Sequence, residues 1–309
     1  MPPKLGSSGL QAGEHVTRTG GRWNPKAWPT YFGASTLGTL ELAADCLSSL
    51  LVAVNELGAD NDVNRVVAMI DAGKDVLVDS GVYWLSTQHA KNHDITMDIA
   101  LGLAPDEIDG FDDLFERYVR LVTLLESRAW GYIEIDQGGR ENKIKTRAKL
   151  EKMGFRPIPV YHPLNDGWDY FDYLAENYDR ICMGNVVNAE AQTRKRLVAT
   201  AWERRRKYPD LWIHLLGLTP SELTVAFPCN SCDSSTWVAN VRWGTHSSSI
   251  ASKRMTLDEG FIYEKGNYES WSKAIKLCGY DAQMTGRTMK RILNDQKREL
   301  GADPTMRLA

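Results

Sequence analysis

The chain is expected to be an α/β protein, a (β/α)8 TIM-type barrel, on three features of its sequence. Short apolar runs alternate with amphipathic helical stretches along most of the 309 residues, as in βαβ units around a parallel sheet. Polar residues gather where nearly every apolar run ends, as around a barrel mouth, whereas an open sheet concentrates them at one switch point. No G-x-G-x-x-G or Walker A loop follows a run, which weakens a nucleotide-cofactor reading of the same alternation.

Residues 1–24 are rich in Gly, Ser and Pro, lack a hydrophobic period, and read as a flexible N-terminal arm. Residues 25–309 then form a single catalytic barrel domain that includes C-terminal helices. The first strand is TYFGAS from Thr30, with a helical stretch over 37–57. DVLVDSG from Asp75 follows, with a helix over 111–128. GYIEIDQGG from Gly131 precedes a helix over 143–153, and RPIPVYHP from Arg156 precedes one over 168–177. RICMGN from Arg180 leads to a helix over 189–208. LWIHLLGLT from Leu211 and CNSCDSS from Cys229 bring the strands to seven, and the eighth is sought at 241–243 or 261–263.

Hydrophobic residues make up 43% and charged residues 25% of the chain, ample for a sizeable core. With a net charge of −3 and a pI near 6.1, a nucleic-acid site has to be a local patch on a near-neutral body. Five cysteines in a chain this long do not make a disulfide framework and fit a reducing compartment. The N-terminus has no apolar signal region and no stretch approaches a membrane span, so a soluble cytoplasmic protein without a membrane partner is expected.

The strand ends carry the chemistry. They are Ser35, Asp79 with Ser80, Asp136 with Gln137, His162, Gly184 with Asn185, Gly217, and Asp233 with Ser234 and Ser235. In a barrel these converge on one mouth, and three carboxylates there suit glycosyl transfer. One attacks the anomeric carbon, a second manages the proton, and a third recognises ring N–H groups of a base. The bland alternative is that each Asp merely caps the following helix.

Other positions divide the same way. Cys229 and Cys232 form a C-x-x-C, but a zinc site needs two more ligands and His246 is the sole nearby candidate; packing is the expected role, and neither metal nor cofactor is assigned. Arg194, Lys195, Arg204 and Arg205 could neutralise phosphates, the alternative being a solvated helix face. Tyr83 and Trp84, just past Asp79, could stack on a base, with core packing the alternative for at least one. His162, Asn185 and Gln137 lie where a purine edge could be read.

At VLVDSGVYWL, YIEIDQGG, ICMGN, HLLGLT and CDSSTW the chain resembles the tRNA-guanine transglycosylase superfamily, and looks closest to the phage-type branch that places 7-deazaguanines into DNA. The resemblance runs in order from about Thr30 to Trp243, and HLLGLT followed by Cys-Asp-Ser-Ser-x-Trp is its most specific piece. It implies Asp233 as nucleophile and Asp79, flanked by Ser80 and Gly81, as acid/base. It further implies that Asp136 reads the purine, that Gly184 lies against it, and that His214 and Gly217 shape the pocket wall, with Trp237 closing the last motif. The reaction so implied exchanges guanine in single-stranded or flipped DNA for a 7-deazaguanine through a glycosyl-Asp233 intermediate. The Cys-x-Cys-x-x-Cys…His zinc array and the Pro-Thr-Arg of the tRNA-modifying enzymes are missing after Asp233, which favours DNA over tRNA.

Overall fold

In the computed structural model, which describes residues 15–17, 20–23, 30–219, 223 and 229–236, short strands alternate with helices. β1 (His15–Thr17) and β2 (Gly20–Trp23) pair antiparallel, so this part of the segment read as a flexible arm is a hairpin. A hairpin satisfies its backbone groups locally and needs no long apolar period, which is why patterning did not signal it.

The barrel elements follow in order. They are β3 (Thr30–Ser35), α1 (Leu40–Cys46), β4 (Ser49–Ala53), α2 (Asp60–Asp71), β5 (Asp75–Asp79), α3 (Val82–His93), α4 (Met97–Gly102) and α5 (Phe111–Leu125). Next come β6 (Gly131–Tyr132), α6 (Gly139–Lys152), β7 (Val160–Tyr161), α7 (Trp168–Asn177), β8 (Arg180–Met183), α8 (Ala191–Arg205), β9 (Trp212–Leu215) and β10 (Ser231–Ser234). Among the described residues no helix is long and apolar enough to cross a membrane.

The eighth strand is β4, inside the stretch expected to be one long helix, and 241–243 and 261–263 lie outside the described residues. SLLVA is a short apolar run that fits a helix turn or a buried strand equally well by period. Its ladder with β3 on one side and β5 on the other decides the matter, and the chain leaves α1 at Leu47 in extended backbone (φ −127°).

The eight strands are ordered β6-β5-β4-β3-β10-β9-β8-β7, each neighbouring pair parallel. The two ends of this sheet meet through a parallel bridge between Ile133 and Ile158, with Ile158 N–H donating to Tyr132 O at 2.6 Å and Glu134 N–H to Ile158 O at 3.0 Å. The sheet therefore closes on itself as a TIM-type barrel.

At this seam β6 and β7 are two residues each, and buried side chains replace the missing ladder. Glu134 Oε1 accepts the Val160 N–H at 2.6 Å, while Glu134 Oε2 pairs with Arg147 at 2.8 Å and Arg147 donates to the Tyr170 hydroxyl at 3.0 Å. Lys143 Nζ donates to Val160 O at 3.1 Å and pairs with Asp166 at 2.6 Å. Glu134→Ala strands a buried guanidinium and is expected to cost about 3–5 kcal/mol in denaturant melts. Replacing Glu134 and Arg147 together by Leu and Met is expected to cost less, because no charge is left unpaired.

Inside the barrel lie Phe32, Leu51, Leu77, Val160, Cys182 and Trp212. Strand side chains alternate with period two, so the residue two positions further on shares the inward face one layer nearer the mouth. From Leu77, Val160, Cys182 and Trp212 this rule leads to Asp79, His162, Gly184 and His214. Every strand in a parallel barrel ends on the same side, so these residues meet at one mouth.

Candidate active site

Asp79 ends β5, and its Oδ2 accepts the Gly81 N–H at 3.2 Å. Gly81 turns the chain into α3 with a left-handed φ of 81°, and a Cβ there would lie 2.9 Å from Asn55 Oδ1, so both conformation and space demand glycine. Burial pushes the Asp79 carboxyl up to about 7, and the negative charges of Asp136 and Asp233 push the same way. Three acidic groups from three strands thus share one electrostatic environment.

Asp136 moves in the opposite direction. Burial raises its carboxyl, but a hydrogen bond and charge from His162, reinforced by Lys143, outweigh burial and hold it below the ordinary carboxylate range. His162 Nε2 stands 3.0 Å from Asp136 Oδ2. His162 in turn packs against bare Gly184, where a Cβ would meet its ring carbon at 2.8 Å.

Asp233, on β10, is held from β9 and the turn after it. Its Oδ1 accepts the Gly217 N–H at 3.0 Å and stands 3.1 Å from His214 Nε2. Gly217 makes that approach with φ 69°. His214 Nδ1 is 2.8 Å from Ser231 Oγ, which also accepts the Trp212 indole N–H at 2.7 Å. Because an indole can only donate, the Ser231 proton is free to go to His214 Nδ1, and a neutral imidazole then carries its hydrogen on Nε2, facing Asp233. Both contacts fall on Oδ1.

The remaining site residues take varied places. Ser80 is buried, with its hydroxyl accepting the Val82 N–H at 3.5 Å, and Asn185 turns the chain with a left-handed φ of 50° and donates to Asn165 Oδ1 at 2.6 Å. Tyr83 and Trp84 are 70% and 45% exposed in the first turn of α3, so neither is a core residue. Trp237 lies outside the described residues.

Several expectations are corrected. Gln137 does not face a substrate: it is fully buried, donating to the Ala100 and Leu103 carbonyls at 2.8 Å each and accepting the Ser86 hydroxyl at 3.0 Å. It clamps α3 and α4 to the barrel. Arg194 grips the carbonyls of Val186, Val187 and Ala189, closing the turn after β8 rather than reaching for phosphate. Arg204 pairs with Asp172 and lies over the Trp168 ring. Arg205 is buried beside the start of β9, donating to Leu211 O at 3.0 Å, at the end of the barrel remote from Asp233. A helix in a parallel barrel runs back from the mouth, so its last turn lies on the wrong side. Lys195 alone of these four is exposed.

Cys229 and Cys232 are free thiols in the core, the first pushed by burial up to about 12 and the second higher still. Ser231, Trp212 and Lys143 touch the site residues although strand-end position does not point to them. Ser231 does carry a signal, since it stands two residues before Asp233 on the same strand face. Lys143 carries none, because a lysine in a charged helical stretch reads as solvated.

No protein-family model and no curated protein matches the chain. Among solved structures it is similar to a protein of Aquifex aeolicus VF5, with 13% identity, 86% of this chain and 93% of that chain covered, and a TM-score of 0.45. A tryptophan synthase from M. tuberculosis matches with 10% identity, coverage of 83% and 92%, and a TM-score of 0.41. The carboxyl transferase domain of Rhizobium etli pyruvate carboxylase matches with 11% identity, coverage of 87% and 48%, and a TM-score of 0.43. Likeness at this level carries no argument about chemistry.

Proposed function

We propose that the chain is a glycosyl-transfer enzyme that exchanges guanine in DNA for a 7-deazaguanine by double displacement. The observation that supports this most is the divergence of its clustered carboxylates, Asp79 pushed up to about 7 while Asp136 is held low. Neighbouring acids driven apart in this way can divide proton transfer and recognition between them.

In the first step the Asp233 carboxylate attacks C1′ of the target nucleotide as the bond from C1′ to the guanine nitrogen breaks. Asp79, protonated near neutral pH, gives the departing base its proton. The sugar is then an ester of Asp233. In the second step the incoming 7-deazaguanine attacks C1′, Asp79 takes the proton it loses, and the ester breaks to release Asp233. Two inversions give net retention. Ionised Asp136, oriented by His162, accepts hydrogen bonds from ring N–H groups of either base.

A stacked guanine hides its C1′, so the target is single-stranded or flipped. Tyr83 and Trp84, exposed one helical turn from Asp79, offer faces on which a neighbouring base can stack. The preference for DNA over tRNA rests on the resemblance at CDSSTW and the zinc array missing after it.

The test is mass spectrometry of nucleosides from DNA and tRNA incubated with the protein and a panel of 7-deazaguanines. Incorporation into DNA with release of guanine is the expected result. Exchange confined to tRNA would overturn the choice of nucleic acid, and abasic sites formed without added base would mark a hydrolase instead.

A further inference from the structure

We propose that His89, His93 and Asp109 form a binding site for a divalent transition ion of the zinc class, on the outside of the barrel and separate from the carboxylates. His89 and His93 lie one turn apart at the C-terminal end of α3, so both project from one face of the helix. Their rings stack with centroids 4.2 Å apart. Asp109 comes from the segment just before α5 and points its carboxylate between them, with Oδ2 2.6 Å from His93 Nε2 and 3.3 Å from His89 Nδ1. The three ligand atoms lie within 4.8 Å of one another.

His89 Nδ1 accepts the Asp109 backbone N–H at 3.1 Å, and an ion takes this nitrogen by displacing that hydrogen bond. Metal–nitrogen and metal–oxygen bonds of about 2.0–2.2 Å put tetrahedral ligand atoms roughly 3.3–3.5 Å apart. The His89–Asp109 separation already has that value, and His93 and Asp109, being 49% and 65% exposed, can rotate to match. His89, at 6% exposure, supplies the rigid ligand, while solvent fills the remaining position.

Two imidazoles with one carboxylate suit Zn²⁺, Co²⁺ or Ni²⁺ rather than Mg²⁺ or Ca²⁺, which take oxygen ligands. Along α3 the two histidines stand about 12 and 18 Å from the Gly81 turn that holds Asp79, so the ion has no part in the glycosyl chemistry. Its role is to pin the far end of α3 to the segment entering α5. The helix so anchored carries Tyr83 and Trp84 at its other end.

The experiment is Co²⁺ titration of the untagged full chain, followed by visible absorption and checked by the rise in Tm on adding Zn²⁺. One equivalent is expected to bind with a spectrum of low-coordinate cobalt and to raise Tm. His93→Ala and Asp109→Asn, both exposed changes that leave the fold intact, are each expected to weaken binding by tenfold or more and to abolish the Tm rise. A Cys229→Ser, Cys232→Ser double variant is expected to keep both responses. Unchanged binding in His93→Ala, loss of binding in the cysteine variant, or no binding by the parent chain would each overturn the proposal. The proposal is independent of base exchange, which is expected to continue in His93→Ala.

Discussion

Replacing Asp233 with Ala is expected to lower base exchange by about 10⁴-fold or more and to abolish any covalent protein–nucleic-acid adduct, since removing a nucleophile removes the step that all others serve. The adduct is read by denaturing electrophoresis of enzyme mixed with a guanine-containing oligonucleotide in the absence of incoming base. Ala also strips the Gly217 N–H and His214 Nε2 of their shared acceptor, so some loss of stability, about 1–3 kcal/mol, accompanies it. Asp233→Asn separates the two effects. Its amide oxygen can still accept one of those bonds, so it should fold nearly as well as the parent and yet form no adduct. An adduct that persists in either variant would remove Asp233 from the role of nucleophile.

Asp79→Asn is expected to slow exchange by about 10²–10⁴-fold, the usual contribution of a positioned acid or base. The pH behaviour makes this specific to proton transfer. The folded protein holds the Asp79 proton up to about pH 7, whereas an unfolded chain releases it near the ordinary value of 3.8. The folded state therefore binds the proton more tightly, and stability from this group is fully present below about pH 4 and is lost as pH rises toward 7. Asp79→Asn removes that dependence, so it should melt at a higher temperature than the parent at pH 8 and lose the advantage toward pH 4. The rate of guanine release should fall as pH rises through about 7 in the parent, and the residual activity of the variant should lack that limb. A parent profile flat from pH 5 to 9 would rule out Asp79 as the acid.

These effects depend on how three aspartates met, and the sequence carried much of that. Asp79 ends the apolar run DVLVD and Asp233 stands near the end of the polar strand SCDS, so both were expected at the mouth once a closed parallel sheet was expected. Asp136 was legible only from its position after a strand, because alternation from Ile133 in the inner cluster leads to Ile135 instead. The eighth strand was not legible, because SLLVA has no polar residue after Ser49 to distinguish a two-residue period from a helical one. Arg204 and Arg205 were misjudged for a different reason. Local charge says nothing about which end of a helix faces the mouth, nor whether an acidic neighbour such as Asp172 will meet it.

The sequence by itself determined the alternation of strand and helix, the parallel barrel it builds, and the acidic residues carried at its strand ends, because these follow from periodicity along a single chain. The tertiary structure alone decided how the barrel closes, with buried Glu134–Arg147 and Lys143–Asp166 at the seam, and which charged groups face which. It also decided that Asp79 holds its proton near neutrality while Asp136 does not, and that two histidines and an aspartate sixteen residues beyond the second share one corner of the surface. Electrostatic fields and ligand geometries depend on distances between segments far apart in the chain, and those distances exist only once it has folded.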